Sequence, residues 1–324
     1  MQTRRLCSAS FAIVAAVTFA QSARPQAWPQ KPVRILVPFA AGGHSDGIAR
    51  IVARPLGEAF RQPFIVENRP GAAGVLAAEA LVRSPADGYT LFMASVSELA
   101  IAPAVTRTPY HPLTDFAPIS NIAAGPFVLA VRPGMPSTTV GEFVDRARRQ
   151  PNTFTYVSSG AGGMVHLATA LFLNRAGLEM TPVSYKGGPA PVADLIAGHV
   201  DVYFANLSVV LPHAMSGSLR LLAVASQQRA AQLPDVPTFI ESGFPAFKIV
   251  TWNGLTAPAG TPREIIDRIA NEVGRAVREP KLIERLVGFG VDPLGNSPEE
   301  FAVQIAADVA LWAEAVKIAG VQEK

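Results

Sequence analysis

The chain has 324 residues, 49% of them hydrophobic and only 16% charged, which suits a folded core and excludes a disordered chain. Its formal net charge is +3, and its densest basic run, Arg146, Arg148 and Arg149, reads as a solvated helix face. A basic stripe with interleaved aromatics is missing, so no nucleic-acid partner is expected, and the length predicts two domains rather than one.

The first residues carry a targeting signal. Residues 1–5 are short and positive, 6–20 are apolar, and 21–27 are polar with small residues, the layout of a secretory signal peptide. Ala20, Ala23 and Ala27 are alternative cleavage points, of which the last best suits a mature start at Trp28. Arg4-Arg5 leaves Sec and twin-arginine export both open. Cys7 is the only cysteine and lies in the segment to be removed, so the mature chain offers no disulfide, thiolate nucleophile or Cys-ligated metal. No later run approaches the roughly 18 apolar residues of a membrane span. A soluble exported protein follows, most simply a periplasmic one.

Residues 33–39 read as a buried strand, Ala40-Ala41-Gly42-Gly43 as a turn, and the apolar pattern from Ile48 as a helix. At such a junction the first helical N–H groups lack acceptors and face the crevice at the strand ends, where they suit an anion. A strand at 63–68, a turn at 69–74, a helix at 75–83 and a strand at 89–95 extend the unit into what reads as a parallel α/β sheet. The apolar stretch 116–131 reads as a first crossing between domains. A second unit repeats the opening logic, with a strand at 153–157, a small-residue loop at 158–163 and a helix at 166–176. It continues through a strand at 182–185, a helix at 191–197 and strands at 200–204 and 219–225. Residues 249–257 read as the return crossing. Thr261-Pro262-Arg263-Glu264 and Ser297-Pro298-Glu299-Glu300 mark two helix starts. These C-terminal helices are expected to pack on the first domain without chemistry, with Trp312 in the core.

Gly43-His44-Ser45-Asp46-Gly47 matches the G-x-S-x-G elbow of serine hydrolases. An elbow serine, however, follows strands that have already supplied an oxyanion loop, and this one stands near the start of the mature chain. Asp194 with His199 and Asp201 with His213 are ordinary pairs, so an esterase built on Ser45 is kept only as the alternative from another class. His44, His111, His166, His199 and His213 include no pair at ligand spacing, and neither Gly-rich loop has a phosphate-loop ending. The reading is therefore no catalytic residue, no metal and no cofactor. Hydroxyls of Ser45, Ser158 and Ser159 at helix starts, with Gly42, Gly43, Gly160, Gly162 and Gly163 allowing close backbone approach, favour two loops closing on one ligand.

Several blocks resemble one family: 29–46 (PQKPVRILVPFAAGGHSD), 66–71 (VENRPG), 86–91 (ADGYTL), 156–160 (YVSSG), 185–188 (YKGG), 233–238 (LPDVPT) and 255–262 (LTAPAGTP). Together they resemble the Bug family, periplasmic solute-binding components of tripartite tricarboxylate transporters, along nearly all of the mature chain. The resemblance implies a two-domain α/β periplasmic-binding-protein (Venus-flytrap) fold, each domain a sheet flanked by helices, with two interdomain crossings. Residues 28–124 and 250–324 would form domain I and 125–249 domain II, after the 1–27 signal peptide. The implied ligand is a small organic acid, gripped by Phe39, Ala40, Ala41, Gly42, Gly43, His44, Ser45 and Asp46. Ser95, Ser97 and Glu98 would close the same side, and Ser158, Ser159, Gly160, His166, Lys186, Gly187 and Asn206 the other. The implied partners are two membrane subunits that dock transiently on a monomer, with a sensor protein as the alternative. Compared with the family, Ala40 and Ala41 replace prolines, His44-Ser45 replaces smaller residues, and Ala205 stands where an Asp is common, which argues against an amino-acid ligand. Glu98 reads either as a cleft residue that repels a second carboxylate or as a solvated first-turn glutamate.

Overall fold

The computed structural model describes residues 28–185 and 189–321. The chain opens with β1 (Val33–Val37), α1 (His44–Phe60), β2 (Phe64–Asn68), α2 (Val75–Val82) and β3 (Thr90–Ser95). A wide helical turn, Ser97–Ile101, leads into the short α3 (Ala102–Val105), and then comes the sixteen-residue β4 (Phe116–Val131). The middle of the chain gives α4 (Val140–Arg149), β5 (Thr155–Ser158), α5 (Met164–Ala176), β6 (Thr181–Ser184), α6 (Ala190–Ala197), β7 (Val202–Asn206), α7 (Leu207–Met215) and β8 (Arg220–Val224). It ends with β9 (Val250–Pro258), α8 (Arg263–Ala276), α9 (Pro280–Gly288), β10 (Asp292–Pro293) and α10 (Pro298–Ala319).

The strands run in the order β2-β1-β3-β9-β4-β7-β5-β6, with β8 and β10 also paired to β4. The expected parallel pairing holds at the two ends, β1 with β2 and β3, and β5 with β6 and β7. In the middle it does not: β9 is antiparallel to both β3 and β4, and β4 is antiparallel to β7 and β8. The reason is length. The first part of β4 pairs with β9, up to Pro126 opposite Val250, and its last residues, from Phe127, pair with β7. One strand thus belongs to both parts of the sheet, and β9 returns alongside it.

Helix α1 begins at His44, four residues before the apolar pattern announces it, so His44, Ser45 and Asp46 are its first turn rather than a loop. The buried stripe Ile48, Ile51, Val52 and Leu56 then packs it onto the β1 side of the sheet. At α10 the predicted capping box is present, Ser297 and Glu300 each satisfying the other's backbone N–H. At α8 the hydroxyl does something else: Thr261 Oγ1 donates to Pro258 O at 2.7 Å, and the N-cap is Pro262 without a side-chain bond.

Helix α10 also departs from expectation in where it packs. It lies against β4, the 97–101 turn and α3, but equally against α5. Its buried Phe301, Ile305, Trp312, Ala315 and Val316 share one apolar cluster with Leu167, Leu171, Phe172 and Phe204. Trp252 on β9 anchors it further, donating from Nε1 to Asp308 Oδ2 at 2.6 Å. Burial raises the Asp308 carboxyl to about 6 despite that bond.

Candidate functional site

The loop between β1 and α1 is pinned from behind. Asp46 accepts from Gly42 N–H (2.9 Å), Arg50 Nε (2.9 Å) and Asn68 Nδ2 (3.0 Å), and Asn68 Nδ2 also reaches Phe39 O at 3.0 Å. The Arg50 bond leads in holding the Asp46 carboxyl below its ordinary value, so this buried group stays charged while facing its own loop. Gly42, at φ +80°, adopts a backbone that side chains resist, which lets its N–H turn back onto Asp46. Gly47 N–H to Gly43 O, at 2.9 Å, is the first bond of the helix, which leaves the N–H groups of His44, Ser45 and Asp46 without intrahelical acceptors.

In front of this turn lies a cavity of about 270 Å³ lined by Phe39, His44, Ser45, Ser95, Val96, Ser97, Met164, Asn206, Ser208, Val209, Thr251, Trp252 and Asn253. Its walls come from both ends of the sheet: α1 and β3 on one side, the starts of α5 and α7 on the other, and β9 between them. No Arg, Lys, Asp or Glu is among these residues. The polar ones are held at defined angles. Asn253 Nδ2 donates to Ser45 Oγ at 2.8 Å, which leaves the Ser45 hydroxyl hydrogen free. Asn206 caps α7 by accepting from Ser208 N–H (3.1 Å) and Ser208 Oγ (2.7 Å), and it donates to Thr251 Oγ1 at 2.7 Å. Thr251 in turn donates to Gly125 O at 3.2 Å, tying the site to the crossing strands. Burial lowers the pKa of His44, so its imidazole is neutral, and its Nε2 is buried without a partner.

Six of the residues expected from sequence therefore line one cavity: Phe39, His44, Ser45, Ser95, Ser97 and Asn206. Ala40, Ala41, Gly42 and Gly43 form the adjacent loop without lining it, and Asp46 lies behind the wall. Glu98 takes neither position weighed for it. It is fully buried, accepts from Ser95 N–H and bonds Ser95 Oγ at 2.7 Å; the backbone O of Glu98 accepts from Tyr110 Oη. Ser158 bonds His166 Nδ1 at 3.1 Å and accepts from Gly160 N–H at 3.2 Å, ordering a second loop beside the cavity instead of lining it. Ser159 is exposed on that loop, and Met164, the first residue of α5, is its nearest lining residue in sequence. Lys186 and Gly187 lie outside the described residues. Ala205 is buried in the core, so its identity carries no message about the ligand.

Sequence reasoning missed Met164, Ser208, Val209, Thr251, Trp252 and Asn253, while Val96 lies inside the 95–98 stretch it singled out. A signal existed for two of them: Thr251 and Asn253 are polar residues two apart on a largely apolar crossing strand, so they share one face. Ser45 does match an elbow serine in sequence, but its partner is the Asn253 amide, which cannot act as a general base. Among the described residues no cluster of His, Cys, Asp or Glu is arranged to hold a metal ion. A wider surface groove of about 760 Å³ runs along α1 and β2, but two of its three arginines, Arg50 and Arg54, are ion-paired and it draws on one side of the sheet only.

A model of the "Tripartite tricarboxylate transporter family receptor" matches residues 48–321. Protein BugT of Bordetella pertussis is 32% identical over 329 residues, spanning the full length of both chains. Among solved structures, R. palustris Rpa4515 with adipate superposes with a TM-score of 0.75 at 35% identity, covering 91% of this chain and 99% of that one. MatC (Rpa3494) from Rhodopseudomonas palustris with bound malate gives 0.72 at 28%, covering 89% and 100%. The fold is that of the periplasmic binding proteins of this type, and the chain belongs to the tripartite tricarboxylate transporter receptor family.

Proposed function

We propose that this chain is an exported periplasmic solute-binding protein that holds a small carboxylate in the cavity between two lobes, residues 28–124 with 250–324 and residues 125–249. The lobes close by bending where β4 and β9 pass side by side, and the loaded protein docks transiently as a monomer on the two membrane subunits of a tripartite transporter. The observation that carries the reading is the first turn of α1, whose N–H groups lack intrahelical acceptors and whose His44 and Ser45 line a cavity with no charged side chain among its described lining residues. Hydrogen bonds to a charged group are worth roughly 1.5–3 kcal/mol each, so a few of them reach about micromolar affinity, roughly 8 kcal/mol, without a salt bridge. Two relatives with adipate and malate support an organic acid as the class.

A thermal-shift screen of residues 28–324 against dicarboxylates, tricarboxylates, aromatic acids and neutral amides tests this. A ligand at a hundred times its dissociation constant stabilises the native state by about 2.7 kcal/mol, and calorimetry on the best acid gives its affinity. Stabilisation by one acid class is the expected result. Stabilisation by neutral or cationic compounds alone would overturn the carboxylate reading.

A further inference from the structure

Glu98 is a buried carboxyl that the proposed binding reaction does not touch, yet it is bonded to a residue that lines the cavity. Its Oε1 accepts from Ser95 N–H, and its Oε2 lies 2.7 Å from Ser95 Oγ, a separation that fits a hydrogen bond in either direction. Ser95 Oγ also accepts from Ser97 N–H at 3.4 Å. An added Cβ at Gly74 would come within 3.1 Å of Oε2, so the backbone of the turn before α2 closes over the carboxyl.

We propose that Glu98 is a positioning residue that sets, through Ser95, whether the cavity offers a donor or an acceptor to its ligand. When Glu98 is protonated, its O–H donates to Ser95 Oγ, and the Ser95 hydrogen turns into the cavity to meet an anion. When Glu98 is ionised, the same hydrogen is drawn back to the carboxylate and a lone pair faces the ligand. Both the reversed hydrogen bond and the new negative charge then disfavour an acid. The inference rests on the carboxylate reading of the cavity.

Among the described residues, the surroundings supply no countercharge to keep Glu98 ionised. Among the groups facing it, β3 provides Ser95, the 71–74 turn provides backbone, and the segment after α3 provides the Tyr110 hydroxyl. That hydroxyl bonds the backbone O of Glu98 and is itself pushed upward by burial and by Glu98. Helix α10 packs on the 97–101 turn, with Ile305, Trp312, Ala315 and Val316 in the same apolar cluster as Leu99 and Ala100, and its Asp308 is engaged by Trp252. The desolvation that follows raises the Glu98 carboxyl from 4.5 to about 8. His44, the titratable group of the cavity lining, is shifted the other way and stays neutral throughout the same window.

The test is calorimetry with adipate, malate and benzoate between about pH 6.5 and about pH 9.5, on the wild type and on Glu98→Gln, whose amide donates to Ser95 Oγ at every pH. The expected wild-type result is affinity that weakens roughly 10- to 100-fold across the window, the worth of one hydrogen bond to a charged group, while Glu98→Gln remains flat. Ser95→Ala provides a second variant should Glu98→Gln fold poorly; it removes the relay and leaves only the part of the pH dependence that comes from the Glu98 charge, so the fall in affinity shrinks relative to wild type. Acid binding that is equally strong at both ends of the window in the wild type would overturn the proposal and leave the carboxylate reading intact. Failure of all three acids with every protein at every pH would overturn both. A carbon-13 titration of the Glu98 carboxyl in the ligand-free protein supplies an independent readout: titration in the ordinary carboxylate range would also sink the proposal.

Discussion

Replacing Gly290 with Ala separates the energetics of closure from those of folding. Gly290 lies just before β10, on the side of the cavity that carries α1, and it touches the start of α7 on the other side. A Cβ built there would stand 2.4 Å from Ser208 Cβ and 2.6 Å from Ser208 Cα, and Gly290 has φ +72°. Two costs follow. The left-handed backbone costs an alanine roughly 1–2 kcal/mol, and that cost is the same whether or not Gly290 and Ser208 are in contact. The clash costs about 1–3 kcal/mol, but only while Gly290 and Ser208 are in contact, so opening the cavity relieves it. If ligand binding requires closure, the clash is charged against binding, and affinity falls by about 5- to 150-fold. The ligand-free protein loses only the smaller backbone cost. Calorimetry with the best acid from the screen measures the first quantity, and thermal unfolding without ligand measures the second. An unchanged affinity together with a ligand-free stability loss of the full sum would refute the reasoning, because it would mean that these two segments never part.

The remaining predictions concern stability and recognition. For Glu98 the sign is fixed by its raised pKa: the unfolded chain releases the proton near 4.5 and the folded chain near 8. Its contribution therefore worsens as pH rises from 4.5 to about 8 and is level above. Glu98→Gln should gain stability relative to wild type across that interval, by on the order of a few kcal/mol at its end, as measured by denaturant titration; a difference independent of pH would contradict the assignment. Gly254 on β9 faces the buried Phe301 ring, 2.3 Å from an added Cβ, with Ser120 O at 2.9 Å. Gly254→Ala should cost about 1–3 kcal/mol, and in a double-mutant cycle Phe301→Leu should recover part of it; strict additivity would show that the ring is not the obstacle. The His44 ring lies edge-on to Phe289 at 6.2 Å, and its buried Nε2 has no partner. His44→Phe should raise stability by about 1 kcal/mol while weakening acid binding; binding at full strength would show that His44 only fills space.

Much of the fold was written in local pattern, because strands, turns and helix starts are short-range events. The Val33–Val37 strand with its small-residue turn, the Ser297 capping box and the buried stripe of α10 could all be read from neighbours in the chain. The first-turn N–H groups of α1 were also legible, since any helix start leaves such groups free. The Thr261 cap was misread because a hydroxyl has more than one acceptor within reach, and only the turn geometry directs it to Pro258 O. Glu98 was misread for a similar reason. Burial is set by what packs on top, here the 71–74 turn and α10, which sequence spacing does not report.

The sequence alone determined the order of the strand–loop–helix units at 33–95 and 153–204, the loop that leads into α1 and the family blocks, because each depends on residues close together in the chain. Tertiary structure alone decided that α10 reaches across to α5 and that β9 brings Thr251, Trp252 and Asn253 to the cavity floor. These depend on pairings between segments more than a hundred residues apart, such as Asn253 with Ser45. A side chain's role there, donor, acceptor or buried acid, is fixed by the partner it meets.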